Sequence, residues 1–206
     1  MKYIDFYKKF KDSPLLNLRD VATVFDDFDR RRISEWQEKK YIKKITNNFY
    51  IFSESNQSEG DIYFIANKLH SPSYVSLESA LSYYGLIPEG VFDVTSVSPV
   101  KTRRIFANLS VRQPDFLYLK LKKEFFFGYK IIKYEKGSFL MACPEKALLD
   151  SLYLLNLKNE GDFYEMRFNK EILNSIMNSK IMRKYLKIFD SKILRNRINS
   201  LKKTYA

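Results

Sequence analysis

The sequence has almost none of the residues from which hydrolytic and metal centres are usually built. Its 206 residues include one histidine, His70, and one cysteine, Cys143. A lone cysteine excludes an internal disulfide, and one His with one Cys cannot complete a Cys/His zinc site. Any nucleophile–histidine pair would need His70, and no motif sets a nucleophile beside it. Both are expected to be ordinary residues, Cys143 a small partly buried side chain and His70 a loop residue. The six glycines never fall into a phosphate-cradling GxxxxGK[ST] or GxGxxG pattern. No cofactor or metal site is expected. No apolar run approaches the roughly 20 residues that span a bilayer. Met1 to Phe10 carries Lys2, Asp5, Lys8 and Lys9 and lacks the apolar stretch of a signal peptide, so a cytoplasmic location with no membrane partner is expected.

Positive charge is in excess. Lys plus Arg number 36 against 24 for Asp plus Glu, a formal net charge of +12. The excess sits at the two ends: residues 1–56 carry +3, residues 57–162 carry +1 and residues 163–206 carry +8. Such a chain attracts phosphate backbones, anionic surfaces or acidic partners. At 45% hydrophobic and 16% aromatic, it also has ample material for a core.

Periodicity divides the chain in two. The polar run Ser53 to Gly60 has no apolar rhythm and reads as a linker between a domain at 1–55 and another at 61–206. In the first, Tyr3, Phe6, Tyr7 and Phe10 recur at helical spacing and stop at Asp12-Ser13-Pro14. Asn17 is placed to cap a second helix with Leu18, Val21, Ala22 and Phe25 on its inner face. Asp29 is placed to cap a third, with Ile33 and Trp36 inward. Two β-rich arms then flank Asn47-Asn48, a pair that tolerates the positive φ of a tight hairpin turn. Three helices and a ribbon in this order are the layout of a winged helix-turn-helix. The second part opens with a helix capped by Ser76 and stopped by Gly85. β-rich runs follow at Phe92–Val97, Ile105–Ser110, Phe116–Leu121, Tyr129–Tyr134 and Ser138–Ala142. Pro144 and Glu145 start a helix to about Leu155. Beyond Phe168 come further helices, with Ile172, Leu173, Ile176, then Ile181, Tyr185, Ile188, Phe189, then Leu194, Ile198, Leu201 in phase. The expected fold class is α+β: an N-terminal winged helix-turn-helix, then a larger mixed domain with a mainly antiparallel sheet and C-terminal helices.

The third helix opens with Arg30, Arg31 and Arg32, which oppose the helix dipole. In a helix-turn-helix that end enters the major groove, where arginine meets phosphate or guanine O6 and N7. With Ile33 and Trp36 inward, Arg31, Ser34, Glu35 and Glu38 point away from the core. Arg31 and Ser34 are therefore the expected base-reading residues, and Arg30 and Arg32 the expected phosphate contacts. Lys43, Lys44, Asn47 and Asn48 lie on the hairpin, in reach of backbone or minor groove.

Fragments of catalytic motifs fail on spacing, and no enzyme is expected. Pro114-Asp115 resembles the start of a metal-dependent nuclease motif, but Glu135-Lys136-Gly137 places its lysine one position too early. Gly137-Ser138 lacks the paired acids of a nucleotidyltransferase, since Glu145 and Asp150 stand singly. Asp27 and Asp29 fit an inter-helix turn. Lys146 and Asp150, four apart on a helix, are expected to form a surface pair.

Three segments resemble the AbiEi family, antitoxins of abortive-infection toxin–antitoxin operons. They are the winged helix ending in Tyr41 to Tyr50, Tyr74 to Glu89 leading into Val94 to Val97, and Met141 to Asp150; together they span about residues 15 to 155, and the second and third are the specific ones. The turn here is Asn47-Asn48 where relatives often carry an Arg-Gly-like turn, and the tail beyond about 160 matches no family motif. The resemblance implies a two-domain protein whose N-terminal domain binds double-stranded DNA repeats upstream of its own operon and represses it. It implies a larger domain that supports neutralisation of a partner nucleotidyltransferase-type toxin, without requiring a stable complex. The alternative is a transcriptional regulator whose C-terminal domain senses a ligand or protein, with no toxin partner.

Overall fold

A computed structural model describes residues 1–88, 90–107, 109, 114–157, 160–189 and 191–205. The chain is α+β, with helices distributed around two sheets.

The N-terminal part runs α1 (Tyr3–Phe10), β1 (Leu16–Asn17), α2 (Leu18–Val24), α3 (Arg31–Glu38), β2 (Ile42–Thr46) and β3 (Phe49–Phe52). Its three strands are antiparallel in the order β1-β3-β2. Asn17 caps α2 by accepting the Arg19 N–H at 3.1 Å, and Asp29 accepts the Arg31 N–H at the start of α3 at 2.9 Å. Each supplies an acceptor that a helix start otherwise lacks. Ile33 and Trp36 point inward, as expected, and join Phe6, Leu18, Val21, Ile42, Tyr50 and Phe52 in one small core. Phe6 and Trp36 pack with their rings tilted and centroids 4.6 Å apart. Ala22, expected inside, is exposed, and Phe25 is half-buried.

Side chains alternate along β3. Tyr50 and Phe52 enter the small core, while Phe49 and Ile51 pack against the larger one together with Ile45. The hairpin is therefore held between two hydrophobic bodies. Of residues Ser53 to Gly60, expected to be a linker, Ser53 and Glu54 form a turn, 55–58 take no regular secondary structure, and Glu59 and Gly60 open a helix. Ser58 begins α4 (Glu59–Leu69) with a capping box: its hydroxyl accepts the Asp61 N–H at 3.2 Å, and the Asp61 carboxylate accepts the Ser58 N–H at 3.0 Å. Ile62, Ile65, Ala66 and Leu69 form the buried stripe behind it. Gly60 sits where the Tyr134 ring packs; a Cβ there would stand 2.6 Å from it.

The larger part continues through β4 (Tyr74–Val75), α5 (Leu77–Tyr83), β5 (Val94–Ser98), β6 (Arg103–Phe106), β7 (Asp115–Lys120), β8 (Tyr129–Tyr134) and β9 (Gly137–Ala142). It ends in α6 (Pro144–Leu154), α7 (Glu160–Glu165), α8 (Lys170–Asn178), α9 (Lys180–Ile188) and α10 (Lys192–Thr204). The sheet order is β6-β7-β5-β4-β9-β8. Pairings β5–β7 and β4–β9 are parallel and the other three antiparallel, so the sheet is mixed with antiparallel pairs in the majority. In the expected strand Ile105–Ser110, Asn108 and Ser110 lie outside the described residues.

Pro144 opens α6 as expected, and Arg197 from α10 closes it by donating to the Leu152 and Tyr153 carbonyls at 2.7 and 3.1 Å. In α9 the inward residue is Met182, while Ile181 and Ile188 face outward. Gly85 follows α5 at φ +67°, the left-handed stop that glycine suits. Ser76 precedes α5 but makes no side-chain cap, because its hydroxyl is committed to Asp150. No helix among the described residues is long and apolar enough to cross a membrane.

Candidate nucleic-acid interface

One face of the α3 segment and the hairpin tip enclose a notch of about 420 Å³. Arg30, Ser34 and Gln37 line it from the α3 segment, and Lys44, Asn47, Asn48 and Tyr50 from the hairpin, over a floor of Leu18 and Ile33. The first three are four and then three residues apart, the spacing that places side chains on one helix face. Asn48 adopts φ +67°, which turns the chain between Thr46 and Phe49 as the sequence implies. Its carbonyl accepts the Leu18 N–H at 2.9 Å and ties the tip to the start of α2.

Among the described residues the lining contains two cationic groups, four hydrogen-bonding side chains of Ser, Asn and Gln type, and no carboxylate. Burial pushes the Tyr50 phenol up, opposed by the nearby Arg30 guanidinium. Glu35, which follows Ser34 in the chain, is already engaged: Lys39 bonds it at 2.7 Å and Arg32 at 2.9 Å. These contacts, Lys39 first, hold its carboxyl below the usual range, and Lys39 is raised in return. Glu35 is thus locally neutralised, which lowers its repulsion of an approaching polyanion.

Of the residues singled out from the sequence, Arg30, Ser34, Lys44, Asn47 and Asn48 meet at the notch, while Arg31, Arg32 and Lys43 do not line it. Arg31 is exposed on the outer side of the helix, Arg32 is paired with Glu35, and Lys43 is half-buried in β2. The helical phase that selected Ser34 also selects Gln37, one turn on, which the reading of the sequence passed over.

A second cluster of reactive side chains lies in the larger core. Lys146 and Asp150 do pair, but the pair is fully buried rather than on the surface. Asp150 accepts the Tyr74 hydroxyl at 3.0 Å and the Ser76 hydroxyl at 2.8 Å, and Lys146 donates to Tyr74 Oη at 2.8 Å. All four side chains are sealed from solvent, so the cluster has no route for a substrate. Its geometry is that of a satisfied buried network. Cys143, half-buried beside it, has its thiol pushed up by burial and is not a reactive thiolate.

Comparison of the chain with protein-family models and with curated proteins finds no match.

Proposed function

We propose that this protein binds double-stranded DNA through α3 and the β2–β3 hairpin, as the autorepressing antitoxin of a toxin–antitoxin operon. One observation carries the DNA-binding half: a carboxylate-free notch joins a helix face bearing Arg30, Ser34 and Gln37 to a hairpin tip bearing Lys44, Asn47 and Asn48. The element order α1-β1-α2-α3-β2-β3 fits a winged helix-turn-helix, with α3 in the major groove and the hairpin as wing. Gln37 suits adenine N6 and N7, and Arg30 suits guanine or a flanking phosphate. Exposed Arg31 is positioned for backbone contact on the outer side of the helix, and Lys44 for backbone contact at the wing.

The antitoxin half rests on the resemblance of segments 74–89 and 141–150 to AbiEi proteins. Its partner is a nucleotidyltransferase-type toxin, and the protein itself performs no catalysis. A second reading, a regulator with a sensory domain, is favoured by a groove of about 470 Å³ in the larger part, between Tyr84, Glu145, Ile172 and Ile176.

Fluorescence anisotropy on the DNA upstream of the gene, against scrambled DNA at two salt concentrations, tests the first half. Tight binding that prefers the upstream sequence supports it; equal, weak, salt-erased binding to both refutes it. Co-expression with a neighbouring toxin-like reading frame separates the two readings. Rescue of growth supports the antitoxin, and its absence supports the sensor.

A further inference from the structure

The hairpin tip forms the wall of two clefts. Behind Asn47 and Asn48, on the side away from the α3 notch, lies a second cleft of about 300 Å³. Asn17 and Arg19 enter it from the start of α2, Thr46 from β2, and Arg103 from β6, the edge strand of the larger sheet. The lining again holds two cationic groups and no carboxylate. Both arginines are exposed, and among the described residues neither has an ion-pair partner.

The contrast within β6 is informative. Arg104, the next residue, bonds Asp115 through Nε at 2.7 Å. Consecutive strand residues face opposite sides of a sheet. The strand therefore neutralises one arginine on one face and leaves the other charged on the face that meets the hairpin. Nearby His70 sits in the same field: burial first, then Arg103 and Lys101, push its imidazole down. Packing of Ile45, Phe49 and Ile51 against the larger core fixes Arg103 at the hairpin tip.

We infer that Arg103 and Arg19 clasp a DNA backbone phosphate on the far side of the wing, so that the larger domain takes part in binding the duplex. This rests on the DNA-binding reading above. Two guanidinium groups and neighbouring amide side chains are the donor set that a phosphate oxygen demands. The contact positions the duplex and carries no sequence information.

The test uses the full chain and anisotropy on labelled upstream and scrambled duplexes across a salt series. Arg103→Ala and Arg19→Ala should each flatten the slope of log affinity against log salt, by at most about 0.9 in all for the one phosphate they share. Between about 50 and 200 mM salt, that removes at most a three- to fourfold share of the affinity change. The ratio of upstream to scrambled affinity should stay at the wild-type value, and Arg103→Lys should retain most of the slope. Arg104→Ala is the matched control: it removes the same charge one residue away, on the opposite face, and should keep the wild-type slope. Thermal melts at the wild-type midpoint confirm that these surface variants fold. If Arg103→Ala keeps the wild-type slope while Arg30→Ala weakens binding, the second contact is refuted and the α3 interface stands. If the wild type shows no salt-dependent duplex binding, both fall.

Discussion

Replacing Lys146 with methionine should cost this protein about 3–5 kcal/mol of stability, the usual result of leaving one charge of a buried pair uncompensated. The two side chains are fully buried, and the Lys146 ammonium also lies 5.2–5.4 Å from the ring centroids of Tyr74, Phe127 and Phe189. Burial drives the Lys146 ammonium down and the Asp150 carboxyl up, opposed by their contact with each other, by Cys143 beside Lys146, and by the Ser76 and Tyr74 hydroxyls on Asp150. Methionine keeps most of the volume and removes the charge, so the loss reports electrostatics more than a cavity. For a chain of this length a kilocalorie moves the melting midpoint by about 2–4 °C, which puts the expected drop at roughly 6–20 °C.

Two further measurements separate this account from simple packing loss. The double variant Lys146→Met/Asp150→Leu removes both charges and should recover about half or more of the single-variant deficit, although the Tyr74 and Ser76 hydroxyls then lose their acceptor. The deficit of Lys146→Met should also depend on pH. Asp150 without its partner keeps a raised folded-state pKa, so the folded state takes up a proton more readily than the unfolded one. Its penalty is small at low pH and grows as pH rises through that folded pKa. Urea titrations from about pH 4, the ordinary Asp value, up through neutral pH read this directly. A double variant whose loss equals the sum of the singles, together with a pH-independent deficit, would refute the reasoning.

Three other outcomes are expected. Gln37→Ala and Arg30→Ala should each cost about 1–3 kcal/mol of preference for the upstream sequence, while Lys44→Ala weakens all duplexes alike; competition anisotropy distinguishes these. Gly60→Ala should lose about 1–3 kcal/mol because its Cβ meets the Tyr134 ring, and the loss should shrink in a Tyr134→Leu background, as chemical denaturation can show. Burial pushes the Asp61 carboxyl up, but Lys136 at 3.0 Å and Ser58 outweigh it and hold it low. The resulting stability is present above the unfolded carboxylate pKa and disappears as pH falls through the lower folded value, so Lys136→Met should differ from wild type in urea midpoint at neutral pH and converge with it in acid.

Local rules made part of this architecture legible. Ile33 and Trp36 fixed the phase of α3, Asn47-Asn48 fixed the hairpin turn, and Pro144 marked the start of α6, because each signal acts within a few residues. β1 and β4 have two residues each, too few to show a period of two. Helix α4 was written in the sequence as Ser58-x-x-Asp61 followed by apolar residues at helical spacing, but the polar residues before it and Gly60 within it read as a linker. Gly60 answers to Tyr134, more than seventy positions away, and no local rule holds that information. The same limit applies to Lys146 and Asp150. Spacing of four told that they meet, while their burial depends on β4 beneath and Phe189 above.

The site divides along the same line. Ser34 and the hairpin residues followed from helical phase and turn chemistry, whereas Arg103 and Arg19 come to line one cleft only through the tertiary fold. This has a consequence for the resemblance as well. Segment 74–89 supplies Tyr74 and Ser76 and segment 141–150 supplies Lys146 and Asp150, so the two most specific stretches meet in one sealed network. Residues bound together inside a core are constrained by folding, not by DNA. Arg30, Ser34 and Gln37, proposed to choose the base pairs, lie in the winged-helix segment, the least specific of the three that carry the likeness. The resemblance of the two specific segments therefore bears on this buried network, and the base-reading role proposed for α3 has to be tested on α3 itself. Grafting Arg30, Ser34 and Gln37 onto the equivalent helix of an AbiEi protein should transfer preference for this protein's upstream DNA, while exchanging the larger domains should leave that preference where α3 goes. Preference that travels with the larger domain would refute the assignment of sequence reading to α3.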